Sequence, residues 1–203
     1  MVAVYHEQDY IRRKELTRMK TILVGVAMFS AFAAAAPMAQ AQVQRDGSLI
    51  FGISGGLTLP VGSLGDVQGS GLNLQGHATL KPGSTPFALR GDLGFWTTGG
   101  KTFNRLGVSG STESVTWFTG NVNAVFNFEG SKDATFVPYV IGGVGLYNGS
   151  QGFGTKAGIN GGGGVTFKLS GFDAFAEARF HNIFTDGNSS RIIPLSFGIN
   201  FKP

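Results

Sequence analysis

Residues 192–201 have the sequence Ile-Ile-Pro-Leu-Ser-Phe-Gly-Ile-Asn-Phe. From Ile193 to Phe201 every odd-numbered position is large and apolar, whereas the even-numbered positions from Pro194 to Asn200 are small or polar. A period of two indicates a β-strand, because successive side chains of a strand point to opposite faces. We therefore expect a sheet with an apolar medium on one face and a polar medium on the other.

Seven further segments show the same alternation or are apolar throughout. In chain order they are 49–59, 72–81, 87–97, 115–128, 136–147, 157–169 and 174–184. Charged residues in the alternating segments fall on the face opposite the large apolar residues. Segment 136–147 is apolar on both faces, so its inward side cannot be assigned from the sequence. With the last strand, the sequence predicts eight strands.

The predicted connections differ in length along the chain. In chain order they are 60–70, 82–86, 98–114, 129–135, 148–156, 170–173 and 185–191, so longer loops mostly alternate with shorter turns. An even number of antiparallel strands, with short turns at one end and long loops at the other, is the plan of a transmembrane β-barrel. Most segments also reach the roughly nine to eleven residues that such a strand needs.

A soluble eight-stranded barrel of the lipocalin kind would show the same alternation. The polar face, however, carries Arg90, Asp92, Lys168, Glu177 and Arg179, which suit a wet or ion-paired lumen. The apolar face mixes large aliphatic residues with Gly and Ala and lacks the few polar groups that orient a ligand in a cavity. We therefore predict a transmembrane barrel, which must close because open sheet edges cannot be satisfied in hydrocarbon.

The amino-terminal part of the chain does not belong to this pattern. Lys20 precedes an apolar run over 21–36, and Ala39-Gln40-Ala41 supplies a cleavage site, so we predict a signal peptide over 1–41 and a barrel domain over 42–203. The apolar run is shorter than the roughly twenty residues of a membrane-spanning helix. Residues 1–18 form an unusually long front end, which favours translation from Met19.

Charge and cysteine content exclude several functions. Half of the net charge of +4 lies in the first 41 residues, and no cluster of Lys and Arg with interleaved aromatic residues follows. We therefore expect no nucleic-acid partner. The chain has no cysteine, which removes disulfides, thiolate chemistry and cysteine metal sites together.

Four stretches carry a resemblance to a known family. They are 138–145 (Pro-Tyr-Val-Ile-Gly-Gly-Val-Gly), 158–164 (Gly-Ile-Asn-Gly-Gly-Gly-Gly), 177–180 (Glu-Ala-Arg-Phe) and the terminal 194–201. Through them the chain resembles, over 48–201, the small eight-stranded outer-membrane β-barrel proteins of the OmpA, OmpX and opacity-protein type. The resemblance implies export to the outer membrane of a Gram-negative-type envelope and contact with its lipid. Cell-wall anchoring is not implied, because no peptidoglycan-binding domain follows the barrel.

The resemblance also implies a partner for the last strand. In the family the outer-membrane assembly machinery recognises this strand, so Phe197, Ile199 and Phe201 are the expected assembly signal. Here Lys202 and Pro203 follow the terminal aromatic residue, which departs from the family pattern.

The charged face predicts an ion-pair network within the lumen. The third and seventh strands lie opposite each other in an eight-stranded barrel, so we expect the pairs Arg90–Glu177 and Asp92–Arg179 at two successive levels. His77, Asn121 and Asn123 share the polar face and are expected to complete the network. The alternative is four separately hydrated charges, although eight strands leave an interior just wide enough for side chains.

No enzyme, metal or cofactor is predicted. His181 is the one superficial catalytic candidate, but Ser189 and Ser190 lie in a predicted loop without a third group to orient the base. His77 and His181 are the only histidines after the predicted signal peptide. The glycines of 161–164 lie within a strand and lack the Lys-Ser/Thr ending of a phosphate loop.

We therefore expect a structural or surface-interaction protein with a closed polar lumen. Its long loops would face outward, and they contain Phe103, Arg105 and Phe153, with Trp117 nearby, so they are able to bind an extracellular ligand. The alternative is a narrow porin-like channel, and a lipid A-modifying barrel enzyme is a third hypothesis.

Overall fold

The structure is a computed structural model that describes residues 47–105, 108–128, 134–185 and 187–201. The predicted signal peptide lies outside the described residues, as do Lys202 and Pro203. No helix in the described part of the chain is long and apolar enough to cross a membrane.

Eight long strands form a closed antiparallel up-and-down barrel, as the alternation predicts. Each pairs with its neighbour along the chain, and the first pairs with the last to close the sheet. The long strands are β1 (Gly47–Val61), β3 (Gly71–Pro82), β4 (Phe87–Gly100), β7 (Val115–Asn127), β8 (Phe136–Gly149), β9 (Gly154–Lys168), β10 (Asp173–Thr185) and β11 (Asn188–Phe201).

The connections at one end of the barrel carry structure of their own. Helix α1 (Ser63–Val67) and strand β2 (Gln68–Gly69) lie between β1 and β3, and the β5–β6 hairpin (Thr102–Arg105 and Val108–Ser111) lies between β4 and β7. We call this the loop end. The opposite end, with the connections 83–86, 128–135 and 169–172, is the turn end.

Two of the predicted loops are wrong. Residues 185–191 are almost entirely strand, because Phe184 pairs with Ser189 and Thr185 with Asn188 around a tight turn. Strands β8 and β9 likewise extend into 148–156 and leave only a short turn. At the loop end the strands continue past their lipid-facing segments, and there the apolar and polar residues no longer alternate. The sequence therefore does not reveal these strand extensions.

The side chains are arranged with apolar groups outside and polar groups inside. Leu72, Val144 and Phe197 point outward and are 65%, 62% and 68% exposed. Inward-facing Gln75 and Arg179 are 2% and 1% exposed. The structure also assigns the ambiguous strand β8, whose buried inward positions are Val137, Tyr139, Ile141 and Tyr147.

Candidate functional site: a charged ring in the lumen

Four charged side chains meet at mid-height in the lumen. Arg90 and Asp92 alternate with outward residues on β4, and Glu177 and Arg179 do the same on β10. Their side chains are at most 6% exposed. Because the two strands face each other across a narrow barrel, the charged ends of all four side chains lie in the same part of the lumen.

The four groups form a closed cycle of alternating charge, which we call the charged ring. Arg90 Nε lies 2.8 Å from Asp92 Oδ1, and Arg90 Nη1 lies 2.8 Å from Glu177 Oε2. Arg179 Nη1 lies 3.1 Å from Asp92 Oδ2, and Arg179 Nε lies 2.8 Å from Glu177 Oε1. Each charge therefore contacts two charges of opposite sign, and the ring is neutral as a whole.

Neutral side chains add hydrogen bonds to the ring. The Tyr139 hydroxyl donates to Glu177 Oε2 at 2.7 Å, and Arg179 Nη2 donates to Gln75 Oε1 at 3.0 Å. The Asn123 amide donates to Asp92 Oδ2. Sequence reasoning missed Tyr139 because β8 is apolar on both faces, and it missed Gln75 although Gln75 alternates with Leu74.

Two residues of the predicted network lie outside the ring. Asn121 Oδ1 accepts a hydrogen bond of 2.7 Å from the Tyr147 hydroxyl, nearer the loop end. His77 Nε2 lies 2.9 Å from Asn200 Oδ1, nearer the turn end. Both are buried polar residues with partners of their own rather than parts of the ion-pair cycle.

Above the charged ring, the loop end of the lumen is filled by a hydrophobic cluster, which we call the aromatic cap. Its members are Leu64, Trp96, Val115, Trp117, Tyr147, Ile183 and Ile192, with Phe153 packed against it. Trp96 and Trp117 are fully buried. Trp117 and Phe153 pack on each other at 5.0 Å between ring centroids, so Phe153 is not the free loop side chain that the sequence suggested.

His181, the catalytic candidate of the sequence, packs against this cap. Its Nδ1 lies 2.8 Å from the Tyr147 hydroxyl, and its ring packs edge-on against Trp96 with centroids 4.6 Å apart. The side chain is 0% exposed. Ser190 is buried on β11 and pairs with Ile183, which is two residues beyond His181 on β10. Nothing in this packing gives a substrate access to the imidazole.

The described residues also offer no cluster of His, Asp and Glu able to hold a metal ion. The two carboxylates of the charged ring are engaged by guanidinium groups, which occupy the positions that a cation would take. The chemistry of the ring is therefore that of a buried, hydrogen-bonded ion-pair network.

Comparison with known proteins identifies the fold. No protein-family model and no curated protein matches the chain. Among solved structures, Neisserial surface protein A is 16% identical, with a TM-score of 0.58, over 78% of this chain and 100% of that one. The barrel domain of Pseudomonas aeruginosa OprF (17% identical, TM-score 0.45, covering 77% and 100%) and Ail of Yersinia pestis (15%, 0.46, covering 76% and 99%) also match.

The likeness to the Neisserial protein extends over the whole of that chain and concerns the fold. Together with the closed sheet, it shows that this chain has the fold of the small eight-stranded outer-membrane barrels. The resemblance drawn from the sequence is thereby confirmed.

Proposed function

We propose that the protein is an integral outer-membrane barrel with a sealed lumen and a structural or surface-interaction role. The main support for the proposal is the distribution of side chains, which is the reverse of that in a soluble protein: the charged ring is inside and large apolar side chains are outside. A soluble protein rarely exposes apolar patches beyond a few hundred Å2. Here Val122, Val144 and Phe197 are each more than half exposed on separate strands.

Aromatic side chains near the turn end support insertion in a bilayer. Phe126 packs on Phe87 and on Phe128, each at 5.0 Å between centroids, and Phe136 packs on Phe167 at 5.6 Å. Girdles of aromatic residues mark the interfaces of transmembrane barrels. Outer-membrane lipid is thus the partner that this surface fits.

Two barriers in series argue for a closed barrel over the porin-like alternative. The charged ring fills the middle of the lumen, and the aromatic cap fills its loop end. An ion passing along the axis would have to separate buried ion pairs and displace Trp96 and Trp117. Eight strands leave too little room for a path around them.

The loop end supports a surface-interaction role because its connections hold one another in place. The Thr112 hydroxyl donates to the Val67 carbonyl at 2.6 Å, and the Lys101 ammonium donates to the Gly65 carbonyl. Gln68 Nε2 also donates to the Glu113 carbonyl at 3.1 Å. These bonds tie the connection between β4 and β7 to α1 and β2, which gives a formed surface for an extracellular ligand.

Export and assembly complete the proposal. A signal peptide over 1–41 would deliver the chain across the inner membrane. Phe197 and Phe201 lie on the outer face of β11 at 68% and 47% exposure, with Ile199 between them. A side-chain row of this kind is accessible to the assembly machinery before the barrel closes against β1.

The proposal is tested by refolding the chain into phospholipid vesicles and recording currents in planar bilayers. We expect heat-sensitive migration on gels, which indicates a folded barrel, and no steady conductance. A stable ohmic channel formed by the folded protein would reject the sealed lumen and support the porin-like alternative. Failure to insert into bilayers at all would reject the membrane assignment.

A further inference from the structure

The ladder between β10 and β11 is interrupted in the middle of the barrel wall. Its pairing stops after Ala178 of β10 and resumes at His181 in the same register. In that register Pro194 of β11 falls opposite Arg179. Proline has no N–H to donate to a ladder, so within sheets it is found on edge strands, at strand starts and at bulges. A proline halfway along a strand of a closed barrel therefore marks a special place in the wall.

The missing N–H of Pro194 is on the side of β10. On its other side Pro194 pairs with Thr58 of β1, and because it cannot donate, this pair exchanges no backbone hydrogen bonds. Pairs with and without hydrogen bonds alternate in an antiparallel ladder, so Leu57 and Leu59 make the bonds to β11. The ladder between β1 and β11 is therefore continuous at this level, whereas the Arg179 carbonyl receives no bond from Pro194.

Side chains in the lumen bridge the gap. Arg179 Nη2 donates to Gln75 Oε1 at 3.0 Å, and Gln75 Nε2 donates to Ser196 Oγ at 3.1 Å. Arg179 belongs to β10 and Ser196 to β11, so one amide from β3 connects the two strands beside the missing ladder bond. All three residues are at most 2% exposed, so water does not compete for these bonds.

The gap makes this part of the wall easier to separate than the neighbouring part. Hydrocarbon offers no hydrogen bonds, so a spanning strand depends on its partners within the sheet. Native proteins open locally where the fewest interactions must be broken. The tight turn at Thr185–Asn188 keeps β10 and β11 together at the loop end, so the opening is a local separation around Pro194.

We propose that the barrel wall opens locally between β10 and β11 at Pro194, and that Gln75 is a strap that holds this gap closed. The ladder between β1 and β11, where the first and last strands meet, stays paired during the opening. The inference goes beyond the proposed function, because a sealed lumen and a loop surface assign no moving part to the wall.

Hydrogen exchange of the full chain in phospholipid nanodiscs, resolved by residue with NMR, locates the opening. The reporters are the backbone N–H groups of Arg179 and His181 on β10. The N–H groups of Leu57 and Leu59, across β11 at the same level, are the reference. We expect protection factors about fivefold lower on β10 than on β1, the ratio given by the net loss of about one hydrogen bond. Equal or higher protection on β10 would overturn the proposal.

Pro194→Val tests the cause, because it restores the N–H with a side chain of similar size that suits a strand. We expect the protection of Arg179 and His181 to rise about fivefold, to the level of the reference. Pro138→Val, the same substitution on β8, is the control and should leave both unchanged. If Pro194→Val does not fold, Pro194→Ala restores the same donor. Unchanged protection in the folded Pro194 variant would contradict the assignment of the gap to proline.

Two variants test the strap. Gln75→Met keeps the length of the side chain and removes both bonds, whereas Ser196→Ala removes only the contact with β11. We expect each to lower the protection of Arg179 and His181 about fivefold while the reference amides on β1 change little. Ser196→Ala carries the test alone if Gln75→Met does not fold. An equal loss of protection on β1 and β10 would mean that Gln75 stabilises the whole barrel and would reject the strap.

Discussion

Arg90 Nη1 lies 2.8 Å from Glu177 Oε2 although the two residues are 87 positions apart in the chain. The same carboxylate oxygen accepts the Tyr139 hydroxyl at 2.7 Å, and the other oxygen lies 2.8 Å from Arg179 Nε. Glu177 thus joins three strands, β4, β8 and β10, at one point in the lumen. Removing its charge would leave the two guanidinium groups with Asp92 as their one remaining counter-charge in the ring.

We expect Glu177→Gln to lower the free energy of unfolding by about 3–5 kcal/mol, the cost of breaking a buried pair from one side. The double variant Arg90→Met with Glu177→Leu should recover part of this loss, because it removes a charge of each sign and leaves Asp92 paired with Arg179. Urea unfolding in lipid vesicles measures both effects.

Asp66→Asn is the matched control, because Asp66 is exposed in the loop end. We expect it to change the free energy of unfolding by no more than about 0.5 kcal/mol. Equal stability of Glu177→Gln and the parent would mean that the four lumen charges are separately hydrated.

The outer face gives the second prediction. Val122 is 57% exposed at mid-strand on β7, and Phe128 is 52% exposed just past the end of that strand. An Arg at the bilayer midplane costs about 2–4 kcal/mol, against about 0–1 kcal/mol near an interface. We expect Val122→Arg to reduce folding yield in vesicles far more than Phe128→Arg.

A lumen substitution would be a poor control for this comparison. Asn123 is 1% exposed and donates to Asp92, so an Arg there would disturb the charged ring. Similar folding yields for Val122→Arg and Phe128→Arg would mean that the outward face of β7 does not cross the hydrocarbon.

Much of the fold could be predicted from the sequence, because residues two positions apart in a strand point to the same face wherever the strand lies in the structure. Arg90 and Asp92 share a face with Trp96 in any β4 strand, whatever the rest of the barrel does. The same argument places Glu177 and Arg179 on one face of β10. Their sign pattern, with Arg before Asp on one strand and Glu before Arg on the other, then suggested pairs across the lumen.

Alternation could not reveal which further side chains contact each charged residue of the ring. Tyr139 donates to Glu177 from a strand whose two faces are both apolar, so its direction depends on the register of β8 with β7. The aromatic cap was missed because its members come from distant parts of the chain. Trp117 shares the inward face of β7 with Asn121, but its packing against Phe153, from the turn after β8, is visible only in the structure.

The glycine run of β9 gives the third prediction. A methyl group at Gly164 would collide with the Tyr139 ring and with the Ala176 carbonyl oxygen, whereas one at Gly161 would find its nearest neighbour, the Ile141 carbonyl oxygen, 3.9 Å away. Overpacking a tight site costs about 1–3 kcal/mol. We therefore expect Gly164→Ala to lower the unfolding midpoint in urea and Gly161→Ala to leave it unchanged or raise it.

The comparison separates two roles of glycine in this strand. If Gly164→Ala is destabilising because it displaces Tyr139, then Gly164→Ala should lower the unfolding midpoint by less in a Tyr139→Phe background than in the parent. Equal midpoints for the two alanine variants would show that the run provides general flexibility and not space for Tyr139.

The last prediction concerns the order of the loop end. The Thr112 hydroxyl accepts the Lys101 backbone N–H at 2.8 Å and donates to the Val67 carbonyl at 2.6 Å, which links the connection between β4 and β7 to α1. Thr112→Val keeps the shape and removes both bonds. A net loss of about 1 kcal/mol raises the open population about fivefold.

Trypsin cleavage after Lys101 should therefore be about fivefold faster in vesicles, whereas Ser111→Ala, on the neighbouring exposed residue, should cleave at the parent rate. Mass spectrometry of the early fragments measures both rates, and identical rates for Thr112→Val and Ser111→Ala would show that these bonds do not hold the loop surface together.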